Sequence, residues 1–215
     1  MSFLRTILKR SGGGWFFFFI LTVGLHLSNL YIKPPRMEGG KDYIVSLPSS
    51  LSPEEKRIFQ FLQEFQTGLP EAEERELAKI ILEESRRCGC DPELVLAIIL
   101  VESSFYHRAE SPKGAKGLMQ IKPSVAQALA EEMGIPWEEG NIFDPRMNIR
   151  LGLYYLSKLL SKFKDIKIAI TAYNYGPTFV EERLKTGRPI PLRYADKVLR
   201  KYRFLHKRLS QNEGL

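Results

Sequence analysis

Cysteine and histidine are scarce in this chain of 215 residues, with two and three copies respectively. Cys88 and Cys90 flank a single glycine, a spacing at which an undistorted disulfide is hard to close. Two thiols and three scattered histidines are also too few ligands for a structural metal site. The expectation is a core held by packing alone, with both thiols as small buried apolar groups and with no metal or other cofactor. No stretch of useful length alternates apolar and polar residues, so no sheet is expected. No recognised nucleic-acid motif accompanies the basic residues. Acids are absent from residues 1–36, where Arg5, Lys9, Arg10, Lys33 and Arg36 carry five of the formal +7. That leaves only +2 for the rest, whose excess sits in nine basic residues between Lys185 and Arg208 against Asp196. Such a face is more often simply solvated; as a binding face it would meet an acidic polymer or an anionic surface, with a modest role in retention there.

What is present at the front is an apolar run. Trp15 to Ile32, with four consecutive Phe residues at 16–19, is just long enough to cross a bilayer, which takes ~17 to 25 residues. Basic residues ahead of it hold the N-terminus inside and send the rest outward. A cleaved signal is the alternative, but small residues suited to cleavage are missing around Leu25 to Asn29, so an uncut membrane anchor is the favoured reading. No cysteine precedes Cys88 to take a lipid. The chain then divides into an anchor or signal segment (1–35), a linker with one amphipathic helix (36–70), a catalytic domain (71–209) and a short tail (210–215).

Helix signals recur from Ser52 onward. Ser52-Pro53-Glu54-Glu55 is a cap followed by proline and acids in the first turn, with Ile58, Leu62 and Phe65 along one face. Glu71 to Arg87 turns Leu77, Ile80 and Ile81 inward, and Asp91-Pro92-Glu93 repeats the start signal. Ser124 to Met133 reads as helix. Asp144-Pro145 closes a loop before Ile149, Leu153, Leu156, Leu160 and Phe163 at helical spacing. Tyr194, Val198, Tyr202, Leu205 and Leu209 mark a last helix. The fold class is mainly α.

One acid stands out. Glu102 ends the apolar run Leu94 to Val101, and a helix apolar all round is a buried one. Ile98, Ile99, Phe105 and Tyr106 lie a turn away, so no local cation neutralises it. Burial and the negative end of the helix dipole both raise its pKa, which predicts a protonated acid near neutral pH. A structural glutamate bonded to distant backbone donors is the alternative.

Around it, Glu102-Ser103, Phe105, Ala109, Ser111, Gly114-Ala115, Gly117-Leu118-Met119-Gln120 and Pro123 form one block. Asn148-Ile149, Gly152 and Tyr155-Leu156 form a second; Ala172-Tyr173-Asn174 with Gly176-Pro177 form a third. In this order and spacing, from about Ala78 to Leu205, the chain resembles the lytic transglycosylases of the soluble-lytic-transglycosylase (SLT) type, relatives of goose-type lysozyme. Three ordered blocks are far more specific than one short motif. Two positions depart: Tyr175 stands where a small residue or Trp is usual, and His107 where Pro is usual.

The resemblance implies a lysozyme-like helical domain that cleaves the bond after N-acetylmuramic acid in peptidoglycan. Glu102 would act first as acid and then as base, closing a 1,6-anhydro ring on the sugar's own 6-hydroxyl. Ser111 and Gln120 match positions that contact the sugar, and Tyr173 and Asn174 match the segment facing Glu102. Each also has a plainer reading: turn former, backbone bridge, core aromatic and helix terminator. Met119 reads as a packing residue flooring the cleft, and Glu110 and Asp144 as surface and capping acids. The implied partners are peptidoglycan glycan strands and the membrane, with cell-envelope complexes left open. The implied location is the periplasmic face of the inner membrane or the periplasm. A water-using muramidase and a non-catalytic wall-binding module are the competing functions.

Overall fold

The computed structural model describes residues 50–211. The Trp15–Ile32 segment and most of the expected linker lie outside the described residues. Eight α-helices follow in order: α1 Pro53–Leu62, α2 Glu71–Cys88, α3 Pro92–Glu102, α4 Pro123–Met133, α5 Pro145–Phe163, α6 Ile166–Tyr175, α7 Pro177–Thr186 and α8 Arg193–Gln211, with a 3-10 turn Glu139–Phe143 before α5. Only isolated bridges, Glu110 with Lys116 and Lys116 with Ile121, pair extended backbone among the described residues. None of the described helices is long and apolar enough to cross a membrane.

The helix starts obey their local chemistry. Ser52 and Glu55 form a capping box, Asp91 accepts the Glu93 amide at 2.8 Å, and Asp144 accepts the Met147 amide at 2.7 Å. Each cap satisfies amides that the first helical turn leaves without partners. The first helix is shorter than its apolar spacing predicts. It stops at Leu62, and Phe65 reaches the core from the turn beyond it, edge-on to Phe61 at 5.1 Å. Helices α6 and α7 are additions to the expected set. Gly176 at φ +90°, followed by Pro177, ends the apolar α6 and starts the more polar α7.

Helix α3 is the axis of the domain. Leu94 to Ile99 are all buried, because neighbours close over it on every side. Full burial of each such side chain contributes roughly 1.5 to 3 kcal/mol. Helix α8 is its main neighbour and runs antiparallel to it. Tyr194 meets Glu102 at one end, and Tyr202 meets Asp91 at 2.8 Å at the other. Helix α2 packs on α5, and there the fully buried Glu84 takes a two-pronged contact from Arg150 at 2.8 and 3.2 Å, with Arg146 and Arg87 nearby. A buried carboxylate paired in this way is a structural clamp.

The two thiols differ from expectation. Cys88 and Cys90 are free and only partly buried at the Gly89 end of α2. Gly89 caps the helix in the left-handed region, which turns the chain before Cys90 can enter the core. A hydrogen bond from Cys90 brings Cys88 down to about 7 while the Cys90 thiol is pushed up.

Candidate active site

The chain turns sharply once α3 ends. Ser104 and Phe105 both have positive φ, 50° and 66°, a conformation that is uncommon for residues with a Cβ. What holds them is burial. Phe105 is fully buried against Phe61 at 5.8 Å and Phe65 at 4.9 Å. This anchored turn fixes Glu102 at the rim of the helix, partly buried.

Glu102 accepts a hydrogen bond from the Tyr194 hydroxyl of α8. Burial pushes its pKa up; the Tyr194 hydrogen bond and the charge of Lys197 oppose that without overcoming it. The expectation of a raised acid therefore has its cause in desolvation. The expectation concerns local cations only; from outside α3, the charge of Lys197 arrives from a helix 95 positions later in the chain. The Tyr173 and Tyr194 phenols are both pushed well up, by burial first and by the Glu102 charge second, which places the three groups in one cluster.

The three sequence blocks meet at Met119. Its amide donates to Asn148 Oδ1 at 2.7 Å, its carbonyl accepts from the Tyr173 hydroxyl at 2.9 Å, and its side chain lies against Gly152. A Cβ on Gly152 would stand 2.5 Å from Met119 Sδ, and one on Gly117 would stand 2.2 Å from Asn148 Nδ2. Both glycines are thus required by close approach. The same Asn148 amide donates to Ile142 O at 2.8 Å and Lys116 O at 3.1 Å, so a buried side chain satisfies its own polar atoms while holding the loop.

The remaining expected site residues fall around this node. Gln120, at φ 50°, donates through Nε2 to Ala109 O at 3.0 Å and Gly117 O at 2.9 Å and so braces the loop. Ser111 Oγ accepts the Ala115 amide at 3.0 Å within its turn. Asn174 is exposed near the end of α6. Glu110 is exposed beside Lys116, and Asp144 caps α5. Of the two unusual positions, His107 is tied to Thr67 O at 3.0 Å, and Tyr175 is exposed and stacked on Phe179 at 5.3 Å. A cavity of about 680 Å³ opens beside the turn after Glu102, lined by Phe65, Gly68, Ser103, Ser104 and Tyr106. Glu102 is not in its wall. Among the described residues no group of three or more His, Cys, Asp or Glu is placed to hold a metal.

Sequence reasoning missed Tyr194 and Lys197. The signal was there for the first: two of the five positions in the last helix's apolar stripe are tyrosines, and a buried phenol wants a partner.

Comparison with known proteins gives a consistent picture. The transglycosylase SLT domain family matches residues 79–188. The chain is 35% identical over 126 residues to a membrane-bound lytic murein transglycosylase F of Desulfosudis oleivorans, covering 55% of this chain and 25% of that protein. It is 38% identical over 85 residues to the soluble lytic murein transglycosylase of Escherichia coli, covering 38% and 13%. The chain thus spans a quarter or less of these relatives. Among solved structures, an inactive Glu-to-Gln mutant of the lytic transglycosylase Slt from Pseudomonas aeruginosa superposes with a TM-score of 0.55 at 30% identity, over 61% of this chain and 24% of that one. The 70 kDa soluble lytic transglycosylase of Escherichia coli shares the fold, with a TM-score of 0.58 at 24% identity over 72% and 29%.

Proposed function

We propose, from the premise that this chain belongs to the transglycosylase SLT domain family, that it is a peptidoglycan lytic transglycosylase. It would cleave the β-1,4 bond between N-acetylmuramic acid and N-acetylglucosamine without water and leave a 1,6-anhydro end. The observation that carries this reading is the setting of Glu102: a partly buried carboxyl, raised by desolvation, with a phenol on it and a cation behind it. None of the groups acting on Glu102, Tyr173 or Tyr194 is a second carboxylate.

The chemistry follows from that solitude. Most glycosidases divide the work between two carboxyl groups, one protonating the leaving oxygen and the other activating water or attacking the sugar. With one carboxyl, the incoming group is one the substrate carries. Glu102 gives its proton to the leaving oxygen while the acetamido oxygen supports the anomeric carbon. The resulting carboxylate takes the proton of the 6-hydroxyl as that oxygen closes on the same carbon. An internal hydroxyl competes well because proximity is worth a large effective concentration. A group that changes role needs a pKa near the working pH, and burial against Tyr194 and Lys197 supplies opposing pushes. In this reading Tyr194 orients the carboxyl and Lys197 steadies its charged form. Ser111, Gln120 and Asn174 contact the sugar, and Tyr173 fixes the Met119 floor while facing the acetamido group.

The inactive Glu-to-Gln mutant of the Pseudomonas aeruginosa relative supports a glutamate as the working group. The relatives' names, membrane-bound and soluble, support a cell-envelope location. With residues 71–209 as the catalytic domain, Trp15–Ile32 would anchor it on the periplasmic face of the membrane. Digestion of purified peptidoglycan in ¹⁸O-labelled water tests the reaction. The expected products end in unlabelled 1,6-anhydro-N-acetylmuramic acid; labelled reducing ends would replace the lyase with a hydrolase.

A further inference from the structure

We propose that the outer face of α8 is a rail for the acidic peptide stem attached to the muramic acid bound at Glu102; this rests on the peptidoglycan reading above. Arg193, Lys197, Arg200, Lys201, Phe204 and Lys207 recur at spacings of three and four, so they share one side of the helix. At 3.6 residues per turn they span an arc of roughly 120°. All are exposed, Phe204 at 53%. The acids near α8 are engaged elsewhere: Asp196 with Lys167 at 3.1 Å, Glu93 with His206 at 3.2 Å and Glu64 with Arg208 at 2.5 Å. Among the described residues Lys197, Arg200, Lys201 and Lys207 form no ion pair, and the Lys197 charge is felt at Glu102. A stripe of cations without ion pairs around an exposed aromatic ring, which has Arg208 at 6.0 Å from its centre, calls for an anionic partner with some apolar surface.

Position selects the partner. Arg193 is next to Tyr194, whose hydroxyl holds Glu102, and Lys197 follows within one turn, so an anion seated on this end of the stripe is continuous with whatever lies at the carboxyl. A stem joined to the muramic acid meets that condition, and a bilayer does not. Length agrees. The ten helical steps from Lys197 to Lys207 cover roughly 15 Å, and a stem of four or five residues reaches roughly 13 to 18 Å when extended. The stem's free carboxylates would take the cations, and its alanine methyl groups the Phe204 ring.

The test measures binding and cleavage separately, with full-length protein in neutral detergent. Affinity for a disaccharide carrying its stem is compared with affinity for the same disaccharide without one, at low and high salt. Exposed ion pairs are individually weak, so three together should favour the stem roughly tenfold, and the preference should shrink at high salt. The combined Arg200→Gln, Lys201→Gln, Lys207→Gln variant should lose the preference while its kcat on stem-free strands stays that of the wild type. Lys56→Gln, exposed on α1, should keep it. Equal wild-type affinity for the two ligands, or a preference surviving the triple variant, overturns the rail. So does a variant whose only loss is binding to phosphatidylglycerol vesicles, which would give the face to lipid. Hydrolytic products would remove the transglycosylase reading alone, because the affinity comparison does not depend on them.

Discussion

The two ends of α3 carry the same pairing, a carboxyl with a tyrosine of α8, and treat it in opposite ways. Asp91 accepts from Tyr202 at the start, and Glu102 from Tyr194 at the end. Burial pushes both carboxyls up. At Asp91 that push is outweighed by hydrogen bonds from the Tyr202 hydroxyl and the backbone amides at the start of the helix, and the net shift is downward. At Glu102 the opposing contacts are Tyr194 and Lys197, and the net shift is upward. The difference is the helix end itself. A first turn offers free N–H groups to an anion, and a last turn offers only carbonyl oxygens. The same side-chain chemistry is a cap at one end and, in the proposed mechanism, a proton donor at the other.

The largest expected break of this symmetry is in rate. Glu102→Gln should lower peptidoglycan cleavage ~10² to 10⁴-fold, the usual worth of general acid–base catalysis, while Asp91→Asn leaves the rate per folded molecule unchanged. A turbidity assay within threefold of wild type for Glu102→Gln would remove that residue from the mechanism. Next comes stability. Asp91→Ala deletes an N-cap and strands Tyr202, which should cost about 1 to 2 kcal/mol in a urea melt; an unchanged midpoint would make Asp91 a bystander.

The tyrosines give a subtler contrast. In Tyr194→Phe, burial of Glu102 loses one of its two opponents, so the alkaline limb of the pH–rate profile should move to higher pH. Tyr202→Phe should leave that limb in place. It should instead raise the pH at which the protein unfolds in acid, because Asp91 loses a donor to its charged form. If both substitutions move the same limb, the two ends are not distinct.

The smallest effect concerns pH and stability with the signs reversed. The folded Glu102 carboxyl sits above its ordinary value of 4.5, so the stability tied to it is complete below that value and is lost as pH rises through the folded one. Glu102→Gln should therefore be the more stable protein at neutral pH and lose that advantage in acid. Asp91 sits below its ordinary value of 3.8; its contribution is complete above that value and is lost as pH falls through the folded one. Urea melts at several pH values check both slopes.

Much of this was legible from residue order. Caps at Ser52, Asp91 and Asp144 and the apolar run into Glu102 gave the starts and the axis, since local chemistry decides them. The three blocks gave the neighbourhood of Met119, although not the reason for it. That Asn148 holds the Met119 amide and Gly152 admits its side chain follows from a packing of α5 against the loop that no local pattern encodes. The pairing of Tyr194 and Lys197 with Glu102 was illegible for a related reason: the apolar stripe marks Tyr194 as an inward phenol, but a helix face does not tell which distant carboxyl it will find. Helix α6 escaped because ten residues, Ile166–Tyr175, are too few for a clear period before Gly176 and Pro177 interrupt it.

The pairing of Glu102 with Tyr194 spans 92 positions, and it reaches past residue 188, where the family match stops. A fragment trimmed to that match would keep Glu102 and all three blocks, yet it would lack α8 and leave the buried face of α3 in water. The order of synthesis has the same consequence. A chain that emerges N-terminus first has its acid early and its phenol and lysine last. In the proposed reading, an unfinished or truncated copy lacks the phenol and the lysine that complete the Glu102 setting, so a glycan-cleaving hazard to the wall is armed only when the final helix docks.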